Sequence, residues 1–430
     1  MRRVFGSLSA RVLLALVLGL AIGALAQASG DARAAAAVEF IEPLGGLWLN
    51  GLRMTVIPLV VSLLVVGIAS IADAASTGRL AARAIALFLA IMAGVAVYSV
   101  AFSTAALTLF PVDPAAAASL LRGVGTAPAE VSRSLDVGAW LQSLAPANVF
   151  NAAAQDAVLP LVVFACVLGF AVTRLQPDSR RPLVTLFKSV SEAMIVIVRW
   201  VLLIAPVGVF ALAAGVGLRT GFDAAGLIGH YILLVCAAQI VATLLFYPLT
   251  AWAGRMSIGR FAEAAAPVQA LAVSTQSSLA CLPAMVERAR DRLEVSPERA
   301  GLLLPLAVAV FRMTSTVANL AVVMFVASLY GLQPSLLQMA AAVLVAVLVG
   351  VGSVGLPGQV SFFAAIAPIC LAIGVPVDVL PILLAVEVIP DIFRTVGNVT
   401  ADLSVTRILG RGRDDAEIAG VPESEPSPAG

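Results

Sequence analysis

The sequence DIFRTVGNVTAD, residues 391–402, places charged and polar side chains in a segment that is otherwise apolar. Counting from Glu387, the polar residues follow one another at steps of four, three, one, three and four. Steps of three and four place side chains on one face of a helix. The polar face consists of Glu387, Asp391, Arg394, Thr395, Asn398 and Asp402. The opposite face carries Ile389, Ile392, Phe393, Val396 and Val399. The pattern therefore predicts an amphipathic helix whose charged face needs a polar environment.

The composition of the chain is typical of a membrane protein. Of its 430 residues, 61% are hydrophobic and only 12% are charged, and the mean hydropathy is +1.04. Soluble domains are roughly half apolar and about a quarter charged. A charged side chain at the centre of a bilayer costs at least about 2.5–3.5 kcal/mol. The polar face is therefore predicted to line a protein interior or an aqueous cavity.

Two interpretations of the polar face stay open on the residues alone. In the first, Asp391 and Arg394, three positions apart, neutralise each other and only stabilise helix packing. This interpretation leaves Glu387, Asn398 and Asp402 without predicted partners. In the second, the face forms a binding site within the membrane, which is the usual role of ionisable residues in membrane helices.

Other features argue against several classes of protein. The net charge of +1 gives no basic or acidic signature, so nucleic acid is not a predicted partner. The four cysteines are scattered singly and the chain has one histidine, so neither a disulfide framework nor a zinc site is predicted. No serine lies in a GxSG sequence or beside a histidine, which argues against an intramembrane hydrolase. We predict that the protein is not an enzyme; a channel or a non-transporting receptor stays open as an alternative.

The apolar segments predict a multi-pass membrane protein. A spanning helix needs about 17–25 apolar residues. Eight segments qualify: 12–28, 44–72, 84–110, 149–172, 186–216, 227–252, 302–329 and 377–409. Arginines cluster at alternate ends of these segments, which places both termini in the cytoplasm. We expect the cell membrane, the inner one in a bacterial cell, with lipid around the protein. Residues 411–430 have too little apolar content to pack and are predicted to be a disordered tail.

Two further segments are interrupted by helix-breaking residues. Residues 259–292 contain AVSTQSSLACLP, and residues 338–375 contain GVGSVGLPGQVSFF. Each is predicted to form a re-entrant helical hairpin, because broken backbone at membrane depth has to be enclosed by protein or line a cavity. Paired broken segments point to a transporter binding site near the membrane centre. The alternative is that each segment is a kinked spanning helix.

The same residues carry a resemblance to a known family. DIFRTVGNVTAD resembles the D-x-x-R-T-x-x-N-V-T-x-D signature in the last helix of the dicarboxylate/amino acid:cation symporter family, which includes the glutamate and aspartate transporters. STQSSLACLP resembles the first hairpin tip of that family, and GLPGQ resembles the G-V-P-G-G of the second. MTVIPLVVSLLVVGIASIAD is similar to the second helix. The similarity follows the order of nearly the whole chain.

The resemblance implies a role for each matching residue. Arg394 matches the arginine that grips the side-chain carboxylate of the substrate, and Asp391 matches the aspartate that pairs with its α-amino group. Asn398 matches the asparagine that lies near the α-carboxylate of the substrate. Together with Thr395 it completes the implied substrate site. The hairpin tips that close over the substrate are matched by Ser277, Ser278, Gly355, Pro357 and Gly358. Asp402 matches a cation-coordinating carboxylate, which implies a sodium ligand.

The resemblance also implies the fold and the assembly. The family fold is all-α, with eight membrane-spanning helices and two re-entrant hairpins, in a homotrimer whose mobile domains move across the membrane like elevators. By this resemblance, residues 8–75 and 140–220 form the scaffold, and residues 80–112 and 223–410 form the transport domain. The implied function is secondary active transport of an acidic amino acid (aspartate or glutamate) or a related dicarboxylate by symport. Na⁺ or H⁺ is the expected coupling ion, and no other cofactor is expected.

The seventh predicted helix departs from the family pattern. The family carries N-M-D-G-T there, whereas this chain has FRMTS, with Arg312 at the second position. Both expected cation ligands are absent. In one interpretation Arg312 takes the place of sodium, pairs with Asp402 or Glu387, and makes transport sodium-independent and driven by protons or by exchange. In the other, Arg312 forms an unrelated salt bridge in a protein with weakened sodium sites or without transport. The candidates for cation coupling are Asp402, Asn398, Glu387 and Arg312.

Overall fold

The computed structural model describes residues 8–76, 78–124, 145–155, 157–221, 223–352 and 358–411. Within these ranges the chain is helical and has no strand. The predicted tip residues Gly355 and Pro357, and the predicted tail from residue 412 onward, lie outside the described residues. The helices of the first half are α1 (Leu8–Ser29), α2 (Ala32–Ser76), α3 (Arg79–Leu109), α4 (Pro114–Val124), α5 (Val149–Ala154), α6 (Val158–Thr173), α7 (Pro177–Leu203) and α8 (Ala205–Thr220).

The second half of the chain continues as shorter, more often interrupted helices. They are α9 (Asp223–Ala253), α10 (Ile258–Thr275), α11 (Ser278–Asp291), α12 (Pro297–Val310), α13 (Met313–Leu329), α14 (Leu336–Gly352), α15 (Gly358–Ala372), α16 (Leu380–Val386) and α17 (Val388–Leu409). The two segments predicted as hairpins are each a pair of helices, α10 with α11 and α14 with α15, that pack against each other.

Helix α2 begins earlier than the apolar pattern predicts. The predicted span starts at residue 44, whereas α2 starts at Ala32 and is 45 residues long. Asp31 accounts for this start, because its carboxylate accepts a hydrogen bond from the backbone N–H of Arg33 at 2.8 Å. Asp is a favoured residue at a helix start, and the alanines that follow have the highest helix propensity. The segment after Asp31 is therefore helical although it carries charges.

Several predicted spans are interrupted by breaks. The segment predicted at 186–216 is α7 followed by α8, bent by 59°, and Pro206 lies in the first turn of α8. The segment at 302–329 breaks between α12 and α13, at Phe311 and Arg312, and the segment at 377–409 breaks at Glu387. Pro206 and Pro390 lack the N–H that a continuous helix would need.

Long apolar helices give the protein the dimensions of a multi-pass membrane protein. By length and composition, five segments of the described chain are able to cross a membrane, and the bent pair α7 and α8 makes a sixth. These five are Arg11–Ser29, Ala32–Ala75, Arg79–Leu109, Gly226–Ala253 and Pro297–Leu329. Large apolar side chains such as Leu47 and Leu233 are exposed, as expected for a surface in contact with lipid. The number of eight spans remains a prediction.

Two groups of helices pack mainly within themselves. In the first, α1 lies along α8, and α2 packs against α6, α7 and α8. In the second, α3 and α9 pack on α13, while α9, α10, α11 and α12 pack on α17. Every residue of α13 except Ser328 is buried, so this helix forms the centre of the second group. Helix α17 lies beside it and is buried over most of its length.

The two groups meet where α14 and α15 pack against α2. An ion pair joins them at this boundary, between Arg53 of α2 and Asp378, which precedes α16. Beside this pair lies a cavity of about 220 Å³, whose lining includes Val56 and Phe363. A partly exposed ion pair thus lies at this boundary next to a small cavity with a largely apolar lining.

A close contact between α1 and α8 gives a direct test of the packing. At Gly23, an added Cβ atom would lie 2.1 Å from the carbonyl oxygen of Ala214, closer than atoms can pack. Gly23→Ala should therefore force the helices apart and lower the free energy of unfolding by about 1–3 kcal/mol. The measurement is thermal unfolding of the purified protein in detergent.

The matched control for this test is Gly46→Ala in α2, where an added Cβ meets no atom within 4 Å. Its unfolding temperature should be unchanged or slightly raised, because Ala has a higher helix propensity than Gly. Equal unfolding temperatures for the two variants would contradict the packing of α1 on α8.

Candidate functional site

Helix α17 carries the predicted polar face into the interior of the protein. The side chains of Glu387, Asp391, Arg394, Thr395, Asn398 and Asp402 are all buried. The neighbouring apolar residues Ile389, Ile392, Phe393 and Val396 are only partly buried. In a soluble protein the apolar face of a helix is usually buried and the polar face exposed. Here the polar face is the more buried one, which confirms that it points inward. In membrane proteins, ionisable residues typically face the interior in this way.

Both ends of α17 are held by polar contacts. At its start, the backbone N–H of Asp391 donates to the carbonyl oxygen of Glu387 at 2.9 Å, which closes the first turn. At its end, the guanidinium of Arg407 donates to the carbonyl oxygens of Gly254 at 3.0 Å and Leu293 at 2.6 Å. Arg407 thereby fixes the end of α17 to the two turns that precede α10 and α12.

Arg394 forms a buried ion pair with Glu387. Its Nη1 atom lies 2.5 Å from Glu387 Oε1 and 3.4 Å from Asp391 Oδ1. The hydroxyl of Tyr231, on α9, donates to Glu387 Oε2 at 3.3 Å. The expectation that Glu387 lacks a partner is therefore wrong, because the break in the helix at Glu387 turns its carboxylate toward Arg394. Nor does Glu387 form an ion pair with Arg312 within the described residues.

The side chain of Arg394 carries further donors besides the nitrogen that pairs with Glu387. Its Nε and Nη2 atoms are buried and make no hydrogen bond within the described parts of the chain. These two nitrogens lie on the same edge of the planar guanidinium, the edge that donates two parallel hydrogen bonds to a carboxylate. A buried donor left without a partner is costly. The arrangement therefore leaves a carboxylate-binding edge open in the interior.

The start of α13 is bonded directly to α17. The backbone N–H of Thr314 donates to Asn398 Oδ1 at 3.0 Å. The Thr314 hydroxyl lies 2.6 Å from both Asn398 Oδ1 and the Arg394 carbonyl oxygen, and Asn398 Nδ2 donates to Ser315 Oγ at 3.3 Å. An added Cβ atom at Gly397 would lie 2.2 Å from Thr314 Cγ2, so only glycine allows this approach.

Asn398 therefore positions the break between α12 and α13. Both lone pairs of its Oδ1 face donors of Thr314, and one hydrogen of Nδ2 remains for a ligand. Thr314, Ser315 and Tyr231 are residues of the site to which the sequence assigned no role. The sequence did contain a signal for Thr314 and Ser315, because MTST interrupts a long apolar segment. Tyr231 gave no such signal.

Arg312 and Asp402 are both buried near this break but do not form an ion pair. Both carboxylate oxygens of Asp402 and the Nε atom of Arg312 lack a hydrogen-bond partner in the described residues. Among charged groups, Arg312 is influenced first by the like charge of Arg394, then by Asp391 and by Asp402, and the charge that acts on Asp402 is that of Arg312. The predicted direct ion pair of Arg312 with Asp402 is thus absent. The two side chains interact only through their charges, at a distance beyond that of an ion pair.

The break between α10 and α11 lies beside the start of α17. Gln276 has a left-handed backbone conformation with φ of 50°, and its side-chain amide donates to the carbonyl oxygen of Val388 at 3.5 Å. Ser277 caps α11, since its hydroxyl accepts from the N–H of Ala280. Ser278 is buried in the first turn of α11. Of the second predicted tip, Gly358 begins α15.

The helical fold, the apolar surface and the enclosed charged cluster define an integral membrane protein with a polar site in its interior. A family model described as the sodium:dicarboxylate symporter family matches residues 8–411. The chain belongs to that family, which confirms the resemblance seen in the sequence.

Individual relatives match almost the full length of the chain. A proton/glutamate-aspartate symporter of Escherichia coli is 29% identical over 96% of this chain and 94% of its own. A C4-dicarboxylate transport protein of Anaeromyxobacter sp. (strain K) is 28% identical over 100% of this chain and 96% of its own. A proton/sodium-glutamate symport protein of Bacillus subtilis is 24% identical over 96% of this chain and 94% of its own. All three are named as transport proteins, in agreement with the prediction that this protein is not an enzyme.

Removal of the Thr314 hydroxyl should weaken the contact between α13 and α17. Thr314→Val keeps the shape of the side chain but removes a donor that lies between Arg394 and Asn398. We expect the free energy of unfolding to fall by about 1–3 kcal/mol, because buried acceptors lose a partner. Thermal unfolding in detergent measures the change.

Thr108→Val is the control for this substitution. The Thr108 hydroxyl is exposed and donates only to carbonyl oxygens of its own helix, so the change should stay within about 0.5 kcal/mol. Equal effects of the two substitutions would argue against the Thr314 contact.

Proposed function

We propose that this protein is a secondary active transporter that carries an acidic amino acid, aspartate or glutamate, or a related dicarboxylate across the membrane by symport. The observation that carries this proposal is the open edge of Arg394. Its Nε and Nη2 atoms are buried and unpartnered within the described residues, and they match the two oxygens of a carboxylate. The names of the relatives refer to acidic amino acids and C4-dicarboxylates, each of which supplies such a group.

Asp391 favours an amino acid over a plain dicarboxylate. Its carboxylate is buried on the same face of α17, one turn from Arg394, and we infer that it meets the α-ammonium group of the substrate. A C4-dicarboxylate brings no positive charge to this position. The repulsion between Asp391 and a second carboxylate would then oppose its binding.

Asn398 and the interrupted segments complete the proposed site. Asn398 has one Nδ2 hydrogen left for the α-carboxylate, and the Thr395 hydroxyl, which donates to the Asp391 carbonyl oxygen at 3.0 Å, is available as an acceptor. Ser277 and Ser278 at the start of α11 support closure from one side. We propose that Gly355, Pro357 and Gly358 close the site from the other, with α10–α11 and α14–α15 as the two re-entrant hairpins.

The two packed groups of helices suggest how the site moves. We propose that residues 8–75 and 140–220 form the scaffold, and that residues 80–112 and 223–410 form a transport domain that moves across the membrane as an elevator. A boundary that includes the partly exposed Arg53–Asp378 pair and an adjacent cavity of about 220 Å³ supports sliding contacts between the two groups. Eight spanning helices and cytoplasmic termini belong to the same proposal and rest on the apolar segments and the arginine distribution, and a homotrimeric assembly rests on the family resemblance.

Replacement of Arg394 tests the proposed carboxylate contact. Arg394→Lys keeps the charge but loses the planar pair of donors. In reconstituted vesicles we expect saturable uptake of labelled aspartate, with counterflow, by the wild type. The variant should lose at least about tenfold in apparent affinity, which corresponds to about 1.4 kcal/mol.

Arg260→Lys serves as the control, because Arg260 is exposed and pairs with Glu294 away from the site. Its uptake should equal that of the wild type. Unchanged affinity in Arg394→Lys would contradict the proposed contact, and uptake that neither saturates nor shows counterflow would indicate a channel.

Replacement of Asp391 tests the preference for an amino acid. Asp391→Asn should weaken aspartate binding at least about tenfold, or about 1.4 kcal/mol, while competition by succinate is retained or improved. The reason is that the ammonium loses its counter-charge and a second carboxylate loses a repulsive neighbour. Asp291→Asn, at an exposed position, is the control and should leave both ligands unaffected. An equal loss for aspartate and succinate would refute the assignment of Asp391 to the ammonium group.

A further inference from the structure

The family name implies sodium, and the atoms near the break between α12 and α13 test whether a sodium ion fits there. Sodium prefers hard oxygen ligands, several of which have to converge on it. Asn398 Oδ1 is already approached by two donors of Thr314. The carbonyl oxygen of Arg312 accepts hydrogen bonds from the N–H of Thr316 at 3.0 Å and from its hydroxyl at 3.1 Å. Both oxygens are therefore occupied.

Asp402 is the remaining carboxylate at this position, and its neighbour is a cation. Its oxygens are buried without hydrogen bonds in the described residues. It interacts electrostatically with Arg312 and with the thiol of Cys281 on α11. A guanidinium has five N–H donors and no acceptor, so it cannot ligate a metal ion, and its charge repels one. Within the described residues, the groups that interact with Asp402 therefore do not fit a sodium ion.

The charge count of the interior leads to the same conclusion. The polar face and the adjoining break contain three buried carboxylates, Glu387, Asp391 and Asp402, and two buried guanidiniums, Arg312 and Arg394. Arg394 is closest to Glu387, at 2.5 Å. Within the described residues, Arg312 is the charged group that acts on Asp402, so its removal would leave that charge uncompensated there. A buried charge that lacks a partner is strongly destabilising.

We propose that Arg312 is the built-in counter-charge of Asp402 and takes the place of a bound cation, so that this protein transports its substrate without sodium. The inference rests on the proposed transport function and adds that this transport does not depend on sodium. The positive charge is supplied by the chain itself at the start of α13, where the bonds of Thr314 and Ser315 to Asn398 hold the backbone in place. Substrate binding then needs no ion at Asp402.

The test compares sodium with choline in two independent assays. Labelled aspartate uptake is measured in reconstituted vesicles, and thermal unfolding is measured on the purified protein, each in NaCl and in choline chloride at the same ionic strength. The wild type should give equal uptake rates and equal unfolding temperatures in both salts. Uptake that requires sodium would overturn the inference while leaving the proposed transport function intact.

Variants at Arg312 test whether this residue is responsible for the independence from sodium. Arg312→Gln should lose sodium-free uptake at least about tenfold, a factor that corresponds to about 1.4 kcal/mol, and should be stabilised by NaCl relative to choline chloride. Arg312→Lys keeps the charge and should remain insensitive to sodium. The double variant Arg312→Gln with Asp402→Asn removes both charges and should recover most of the lost stability. Arg299→Gln, which removes another buried arginine, should lower stability without any response to sodium.

The other possible results of these assays also support or overturn the role of Arg312 as a counter-charge. If Arg312→Gln behaves like the wild type in both assays, Arg312 is not a counter-charge and the inference fails. If Arg312→Gln does not fold, recovery of a monodisperse protein by the added Asp402→Asn supports the inference, and no recovery overturns it. If the wild type takes up no aspartate in either salt, the proposed substrate fails. The unfolding assay then still tests the inference, because stabilisation of the wild type by sodium would contradict it.

Discussion

The structure depends on the enclosure of the Arg394–Glu387 ion pair within an apolar bundle of helices. A pair at 2.5 Å offsets much of the cost of removing two charges from water, and loss of either partner would leave an uncompensated charge. Lipid offers no alternative partner for these groups. Helix α17 therefore has to lie inside the protein, and the helices around it have to supply the polar contacts that its charged face lacks, as Tyr231 of α9 does for Glu387.

The break between α12 and α13 follows from the same constraint. A continuous helix has all its backbone donors bonded within itself, whereas a break frees N–H groups for other partners. The freed N–H of Thr314 meets Asn398, and Gly397 lets the two helices approach closely enough for this bond. Most polar atoms of the interior are satisfied in this way. Buried side-chain atoms without a hydrogen-bond partner in the described residues include Nε and Nη2 of Arg394, Nε of Arg312 and both carboxylate oxygens of Asp402, as well as atoms elsewhere such as Arg53 Nε and Ser103 Oγ. Such a group calls for an explanation, and the proposed substrate contact and counter-charge supply one at Arg394 and at Asp402.

The sequence predicted the parts of this arrangement that depend on local pattern. The spacing from Glu387 to Asp402 predicted one inward face because helical periodicity is a property of neighbouring residues. The break at Glu387, the early start of α2 and the partner of Glu387 were not predicted. Each depends on a single capping residue, a proline or a side chain from a distant helix, and the hydropathy pattern does not report these. Tyr231, 156 residues from Glu387 in sequence, illustrates a contact that only the folded chain determines.

A fixed arginine and a bound ion satisfy the same carboxylate with different consequences for transport. A diffusible cation that has to be bound before the substrate carries the energy of its own gradient into the transport cycle. A guanidinium on the chain compensates the charge at every step and carries no such energy. In this protein the positive charge that accompanies an acidic substrate is therefore expected away from Asp402. The proposed place is near Arg394, where Glu387 and the substrate carboxylate would share one guanidinium while the substrate ammonium meets Asp391, which leaves one negative charge in excess. If Arg312 takes the place of a bound cation, as proposed, ion coupling is expected at the start of α17 rather than at the break between α12 and α13.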